Sequence, residues 1–299
     1  MSGPDWNETG RDWPNRDCSR FVEAGGLRFH VQILGEGPPL LLLHGTGGAT
    51  HSWRDVLPLA ARHFRVLAPD LPGHGFTSAA SDLSLPGVAG ALQSLLNALD
   101  VPRPVVIAGH SAGAAIAIRL ALDAPVPPAL LVAIGGALQP FPGMAGTLFP
   151  AMARLLFLNP LVPALFSMRT LIPGETGRFL ARATGSRIDA EGVALYDRLF
   201  RAPAHVAGAL GMMASWDLAP LEREMPGLNV PLLLLHGEAD AAVPATVSRT
   251  VARRVAAARV ELLPGLGHLA HEEQPDLFVH HLVEAACGAG VLARPETAS

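Results

Sequence analysis

The stretch VVIAGHSAGAAIAI (105–118) decides how this chain is read. A short apolar run reaches Gly109, and Gly109-His110-Ser111-Ala112-Gly113 follows, continuing into small and aliphatic residues. The run has the pattern of a strand buried on both faces, and the residues after Ser111 that of a helix. A G-x-S-x-G pattern at such a junction can hold serine on a strained turn with its hydroxyl exposed, while the glycines admit close backbone contacts. The helix start behind Ser111 also supplies free N–H groups and a positive dipole end. Five residues match by chance in many chains, so the rest of the sequence must supply a base, an acid and a second oxyanion donor.

Similar runs recur on both sides. PPLLLLHG (38–45), FRVLAPD (64–70), ALLVAI (129–134), PLLLLHG (231–237) and RVELLPG (259–265) read as strands. Two β-prone pieces, RFVEA and LRFHVQIL, precede them across a Gly-Gly turn. Helical stretches at 87–99 and 111–122 fall between strands. This alternation predicts an α/β fold: a mostly parallel, eight-stranded sheet with helices on both faces and ligands beyond the carboxyl ends of its strands. The alternation breaks between residues 136 and 229, where only helical pieces such as 174–184 and 190–200 occur. The expected organisation is an N-terminal extension (1–18), a core (19–136 and 230–299) and an inserted helical lid (137–229). Residues 144–168 of the lid carry Arg154 as their one charge, but Pro150, Pro160 and Pro163 interrupt them, against the roughly 20 unbroken apolar residues of a membrane span. Lid helices packing on the core are expected there, with peripheral membrane contact as the alternative.

Serine needs a base, and His268 in PGLGHLAHEE follows the last predicted strand. His271 in the same loop is its rival, or else a supporting or surface residue beside Glu272 and Glu273. Asp240, in GEADAAVP after the preceding strand, is the acid that would orient the base, with Glu238 as competitor; the loop AIGGALQP offers no carboxylate. The order Ser111, Asp240, His268 is the one this architecture requires. The oxyanion donors would be the backbone N–H of Ala112 and that of Thr46 in HGTGG, each worth about 3 kcal/mol in the transition state. His44, His110 and Trp216 are the candidate substrate contacts, and His74 is expected to be structural, with a substrate contact as its alternative.

Composition closes other routes. All 22 basic residues are arginine, so a phosphate-loop lysine, a Schiff base and a lysine base are excluded. A net charge of -4 carries no signal for nucleic acid. The segments 45–50 and 265–270 resemble dinucleotide loops only in part, since the first lacks its third glycine and the second has too little chain after it. His268 and His271 have no third ligand, so no metal and no cofactor are expected. The two cysteines, Cys18 and Cys287, lack ligand spacing, and the polar N-terminus does not read as a secretory signal; a cytoplasmic protein is expected, with peripheral membrane contact as the exception.

HGTGG, DLPGHGFTS, GHSAG, GEADAAVP and PGLGHLAHEEQPD together resemble the α/β-hydrolase superfamily over residues 21–286. Serine at 111 sets the chain apart from the haloalkane dehalogenases and epoxide hydrolases, which carry aspartate there. The opening RDWPNRDCSRFVEAGGLRFHVQ and the lid segments MARLLFLNPLVP and LYDRLFRAPAHVAGALGMMASWDL resemble the BchO group, the magnesium chelatase accessory (30 kDa) proteins of bacteriochlorophyll biosynthesis. The resemblance implies an esterase-type serine hydrolase acting on a hydrophobic carbonyl compound near the magnesium chelatase step. Its implied partners are an apolar small molecule, a tetrapyrrole among the candidates, and the magnesium chelatase subunits. A non-catalytic tetrapyrrole binder or chelatase accessory is the alternative, and a carbon–carbon bond hydrolase or cofactor-free perhydrolase is a third.

Overall fold

The computed structural model describes residues 4–101, 103–140, 159 and 161–294. Eight strands form one sheet: β1 (Ser19–Ala24), β2 (Leu27–Leu34), β3 (Pro39–Leu43), β4 (Arg65–Pro69), β5 (Val106–His110), β6 (Leu130–Ile134), β7 (Leu232–Gly237) and β8 (Ala258–Leu263). Their order is β1-β2-β4-β3-β5-β6-β7-β8. β2 runs antiparallel to both of its neighbours, β1 and β4, and every pair from β4 to β8 is parallel. Gly25 and Gly26, both at positive φ, make the hairpin turn between β1 and β2, as the Gly-Gly pair predicts.

The leucine run of β3 shows why these strands are apolar throughout. Leu41 and Leu43 face α2 (Leu85–Ala98) and α3 (Ala112–Asp123), while Leu40 and Leu42 join Trp53 and helix α1 (Val56–Ala60) on the other side. Successive side chains alternate faces, so a strand covered twice needs an apolar residue at every position. Each fully buried leucine contributes roughly 1.5–3 kcal/mol. Ser84 caps α2 by accepting the Gly87 N–H at 3.2 Å.

Between β6 and β7 lie α4 (Leu161–Arg169), α5 (Glu175–Thr184), α6 (Ala190–Phe200), α7 (Pro203–Ser215) and α8 (Ala219–Glu224), and no strand occurs among the described residues of this segment. Of the apolar stretch 144–168, residues 144–158 and 160 lie outside the described residues. The segment's last part packs in the main core: Leu221, Met225 and Leu228 join the α2–α3 side of the sheet. After β7 come α9 (Thr246–Arg254), then, past β8, α10 (Ala270–Glu273) and α11 (Pro275–Gly288). No helix among the described residues is long and apolar enough to cross a membrane.

The N-terminal residues are built into the molecule. Trp13 is buried and donates its indole N–H to Thr50 Oγ1 at 2.9 Å. Trp6 packs among Phe21, His30 and Phe76, and the Arg16 guanidinium lies 4.3 Å from the centre of its ring. Asp12 takes a two-pronged ion pair from Arg198 of α6, at 2.6 and 2.7 Å.

One buried carboxylate ties these layers. Asp70, at the end of β4, accepts the backbone N–H groups of Thr50 and Phe76 and the Nδ1–H of His30, at 2.7, 2.9 and 2.8 Å. Burial opposes its charge, but His30 and these N–H groups outweigh that and hold the carboxyl below the usual range. Its stabilising effect is therefore present above the unfolded value of 3.8 and lost as the pH falls below it. Asp70→Asn is expected to cost about 3–5 kcal/mol at neutral pH, because it breaks a buried pair. Urea unfolding of both proteins, repeated toward pH 3, checks this: the difference should shrink on acidification.

Candidate active site

Ser111 sits between β5 and α3 at φ 51°, ψ −113°, a strained conformation for a residue with a side chain. Three backbones crowd the turn. A Cβ on Gly109 would collide with the Gly113 carbonyl, and one on Gly113 with the Leu43 carbonyl. One on Gly45 would lie 3.0 Å from the Ser111 Cβ. The Ser111 carbonyl accepts the N–H groups of Ala114 and Ala137, which fixes the turn from both sides. The hydroxyl has no hydrogen-bond partner among the described residues, and resting structures often show such bonds open.

Asp240 and His268 arrive from the ends of β7 and β8. Asp240 Oδ1 accepts the N–H groups of Ala242 and Val243, both at 2.8 Å, and Oδ2 accepts Nδ1–H of His268 at 2.7 Å. That bond assigns the Nδ1–H tautomer and leaves His268 Nε2 as the free base nitrogen. The His268 N–H donates to the Thr184 carbonyl at 2.8 Å, so α5 of the insertion holds the histidine loop. Glu238 is exposed and takes no part in this pair. His271 is interior: it stacks with its ring centre 4.5 Å from those of His110 and Trp53, and burial drops its pKa to about 3. It does not bond Asp240, so the contact belongs to His268. Its neighbour Glu272 is also buried, pushed up to about 8 by desolvation against the opposing hydrogen bond from the Tyr196 hydroxyl.

Thr46 follows β3, and Ala112 opens α3. Neither backbone N–H has an acceptor among the described residues, which is the condition for holding an oxyanion. The Thr46 hydroxyl reaches Met212 Sδ of α7 at 3.5 Å, and Phe200 of α6 stands beside Gly47. Met212 and Phe200 thus bring apolar groups against this loop. Phe200 also meets Phe166 and Phe179 edge-on, with ring centres 5.6 and 6.1 Å away, and the three line a cleft in the insertion.

The three expected substrate contacts each make a hydrogen bond to the protein's own backbone. His44 is fully buried, donating Nδ1–H to the Gly45 carbonyl and accepting the Leu71 N–H at Nε2, so it shapes the oxyanion loop. His110 is buried and donates Nε2–H to the His268 carbonyl at 3.0 Å. Trp216 is half-buried, donates to the Leu83 carbonyl and packs on the main core. All three side chains are spent on the protein's own backbone. His74 is buried as expected, its Nδ1–H on the Pro72 carbonyl.

Two residues of the site escape sequence reading. Gly135, at φ 52° after β6, faces the acid–base pair: a Cβ there would lie 2.9 Å from His268 Nδ1 and 3.1 Å from Asp240 Oδ2. The absence of a carboxylate in AIGGALQP was legible, whereas the need for no side chain at all was not. His205 of α7 accepts the Gly75 N–H at Nδ1 (3.0 Å) and donates Nε2–H to the Gly47 carbonyl (3.1 Å). It thereby joins the insertion to the oxyanion loop, and Gly208 one turn on presses backbone to backbone on Gly73.

Gly135→Ala should displace the His268 ring, and a 1 Å misplacement can cost about 10²-fold in rate. The expected outcome is a fall of that order in fluorophosphonate labelling, with the far-ultraviolet circular dichroism unchanged. Burial brings His205 down to about 4, because its docked ring must stay neutral to accept at Nδ1. The unfolded chain takes up the proton first, near 6.5, so the stability of docking is full above that value and falls toward pH 4, by roughly 3 kcal/mol. His205→Gln keeps a donor and an acceptor but does not titrate. Its stability relative to wild type, from urea midpoints at pH 7 and pH 4.5, should therefore improve on acidification.

Comparison with known proteins agrees with this geometry. Residues 40–281 match the model of the alpha/beta hydrolase family. The chain is 42% identical over 273 residues to the magnesium-chelatase 30 kDa subunit of Rhodobacter capsulatus, covering 89% of this chain and 93% of that one. It is 29% identical to the pimeloyl-[acyl-carrier protein] methyl ester esterase of Vibrio vulnificus, over 86% of this chain and 97% of the esterase. An alpha/beta hydrolase fold protein from Burkholderia ambifaria superposes with a TM-score of 0.74 at 23% identity, covering 90% of this chain and 98% of the other. With a strained serine between β5 and α3, a hydrogen-bonded aspartate and histidine after β7 and β8, and a family model spanning most of the sequence, the chain belongs to the alpha/beta hydrolase family.

Proposed function

We propose that this protein is a serine hydrolase of esterase type acting on a hydrophobic ester or related carbonyl compound. The observation that carries the reading is the hydrogen bond of Asp240 to His268 beside a strained, unpartnered Ser111 hydroxyl. In this scheme Ser111 Oγ attacks the substrate carbonyl carbon while His268 Nε2 takes its proton. The carbonyl oxygen becomes an oxyanion held by the N–H groups of Thr46 and Ala112. Collapse breaks the ester bond; the alkoxide leaves with the proton from His268, and Ser111 remains acylated. Water then attacks the acyl group, gives a proton to His268 and releases the carboxylic acid, restoring Ser111. Asp240 stabilises the imidazolium of each half-reaction without being protonated itself.

Met212 and Phe200 beside the loop after β3 support an apolar substrate. The insertion between β6 and β7 acts as the lid over this site, and peripheral contact with a membrane belongs to the same reading. The likeness to the magnesium-chelatase 30 kDa subunit supports a role in bacteriochlorophyll biosynthesis, near the chelatase step and in contact with chelatase subunits. A chain without lysine has no phosphate-loop lysine, so its part there would be hydrolysis rather than the work of an ATP motor. That relative's name also favours a second reading, a non-catalytic accessory that binds a tetrapyrrole.

Fluorophosphonate labelling separates the two. The wild-type protein is expected to be labelled and Ser111→Ala not, and p-nitrophenyl esters should be cleaved with kcat/KM rising along the acyl series from acetate to octanoate. An unlabelled wild-type protein that binds porphyrin equally well as Ser111→Ala and His268→Ala would establish the accessory instead.

A further inference from the structure

Helix α4 is amphipathic the wrong way round. Its inward face presents Pro163 and Ser167, followed by Thr170 just past the helix end, and both hydroxyls are used internally: Ser167 donates to the Pro163 carbonyl and Thr170 to the Ser167 carbonyl. Leu161, Leu165 and Met168, at helical spacing, and then Leu171 and Ile172, are each more than half exposed. With Val126 they make up all the exposed large apolar side chains among the described residues. A surface helix ordinarily turns such a stripe toward the core, and apolar residues gathered in one exposed patch mark an interaction surface.

The charges beside the stripe say what it meets. Arg169, Arg178 and Arg182 converge on one carboxylate, Glu175, at 2.6, 3.2 and 3.5 Å. The three guanidinium groups are more than half exposed, while Glu175 is largely covered. The nearby acid Asp197 is already paired with Arg201 at 2.8 Å. The corner between α4 and α5 therefore carries two uncompensated positive charges next to five exposed apolar side chains. A two-fold contact with a second copy would bring these arginines against each other.

We propose that the α4–α5 corner docks on an anionic lipid bilayer, Leu161, Leu165, Met168, Leu171 and Ile172 entering the headgroup–acyl boundary and the arginines meeting lipid phosphates. Interfacial helices bind by this combination of apolar area and basic charge. At nine residues, about 14 Å, α4 lies on the membrane and does not span it. The cleft lined by Phe166, Phe179 and Phe200 opens among these same helices, and Phe200 continues to Gly47 of the oxyanion loop. An apolar substrate held in the bilayer would thus meet an aromatic route toward Ser111. This last step rests on the hydrolase reading; the docking itself does not.

The test is sedimentation of the full chain with vesicles of phosphatidylcholine alone or mixed with phosphatidylglycerol. Wild type is expected to bind the anionic vesicles, more weakly as salt is added, and to bind neutral ones poorly. Arg178→Gln with Arg182→Gln should weaken anionic binding by about fivefold per arginine. Leu165→Glu with Met168→Glu should abolish binding to both. Failure of wild type to bind anionic vesicles overturns the proposal, as does unchanged binding by both double variants. So does a dimer in light scattering that Leu165→Glu with Met168→Glu converts to monomer, which would assign the patch to a second copy. Labelling of Ser111 by fluorophosphonate in solution should be the same in all variants, so loss of docking and loss of the hydrolase reading are told apart.

Discussion

Everything at the candidate site depends on how closely three pieces of backbone approach under Ser111. Gly113 lies on the Leu43 carbonyl, Gly109 on the Gly113 carbonyl, and Gly45 within reach of Ser111 itself. That contact joins β3, β5 and the start of α3, and so fixes where the Ser111 side chain stands relative to the loop after β3. It is a constraint of absent side chains. A strained φ at Ser111 persists because neighbouring hydrogen bonds over-determine the turn.

Around this turn the protein surrounds itself with neutral histidines. His44, His74, His110, His205 and His271 are all buried, and desolvation holds each below the ordinary imidazole range. In four of them one ring nitrogen donates to a carbonyl, and in His44 and His205 the other accepts an N–H, which makes those two rigid, two-ended connectors. His268 differs because its partner is a carboxylate and its second nitrogen is left free. Location and partner, rather than residue type, distinguish a base from a strut.

The strands were legible because a doubly covered sheet demands unbroken apolar runs, and all eight predicted runs are strands within one or two residues. Asp240 and His268 were legible for a related reason: the architecture puts functional loops at strand ends, where few carboxylates and histidines compete. The backbone bonds of His44, His110 and Trp216 were not legible, because proximity in sequence to Ser111 or to the insertion says nothing about where a ring points. Gly135 and His205 were invisible because their importance lies in contacts made more than 100 residues away, with His268, Asp240 and Gly47. The first 18 residues read only as a polar extension ahead of the core. Local polarity does not reveal that two tryptophans in it have pockets waiting elsewhere in the fold.

Those tryptophans and the Asp12–Arg198 pair carry a consequence for how the chain reaches its structure. The two ends of that ion pair are 186 residues apart, so Arg198 must be synthesised and α6 seated before Asp12 has anything to grip. Contacts of such separation are costly in chain entropy until the intervening sheet has collapsed. The residues ahead of β1 are thus among the last to settle, closing like a strap over a core already formed.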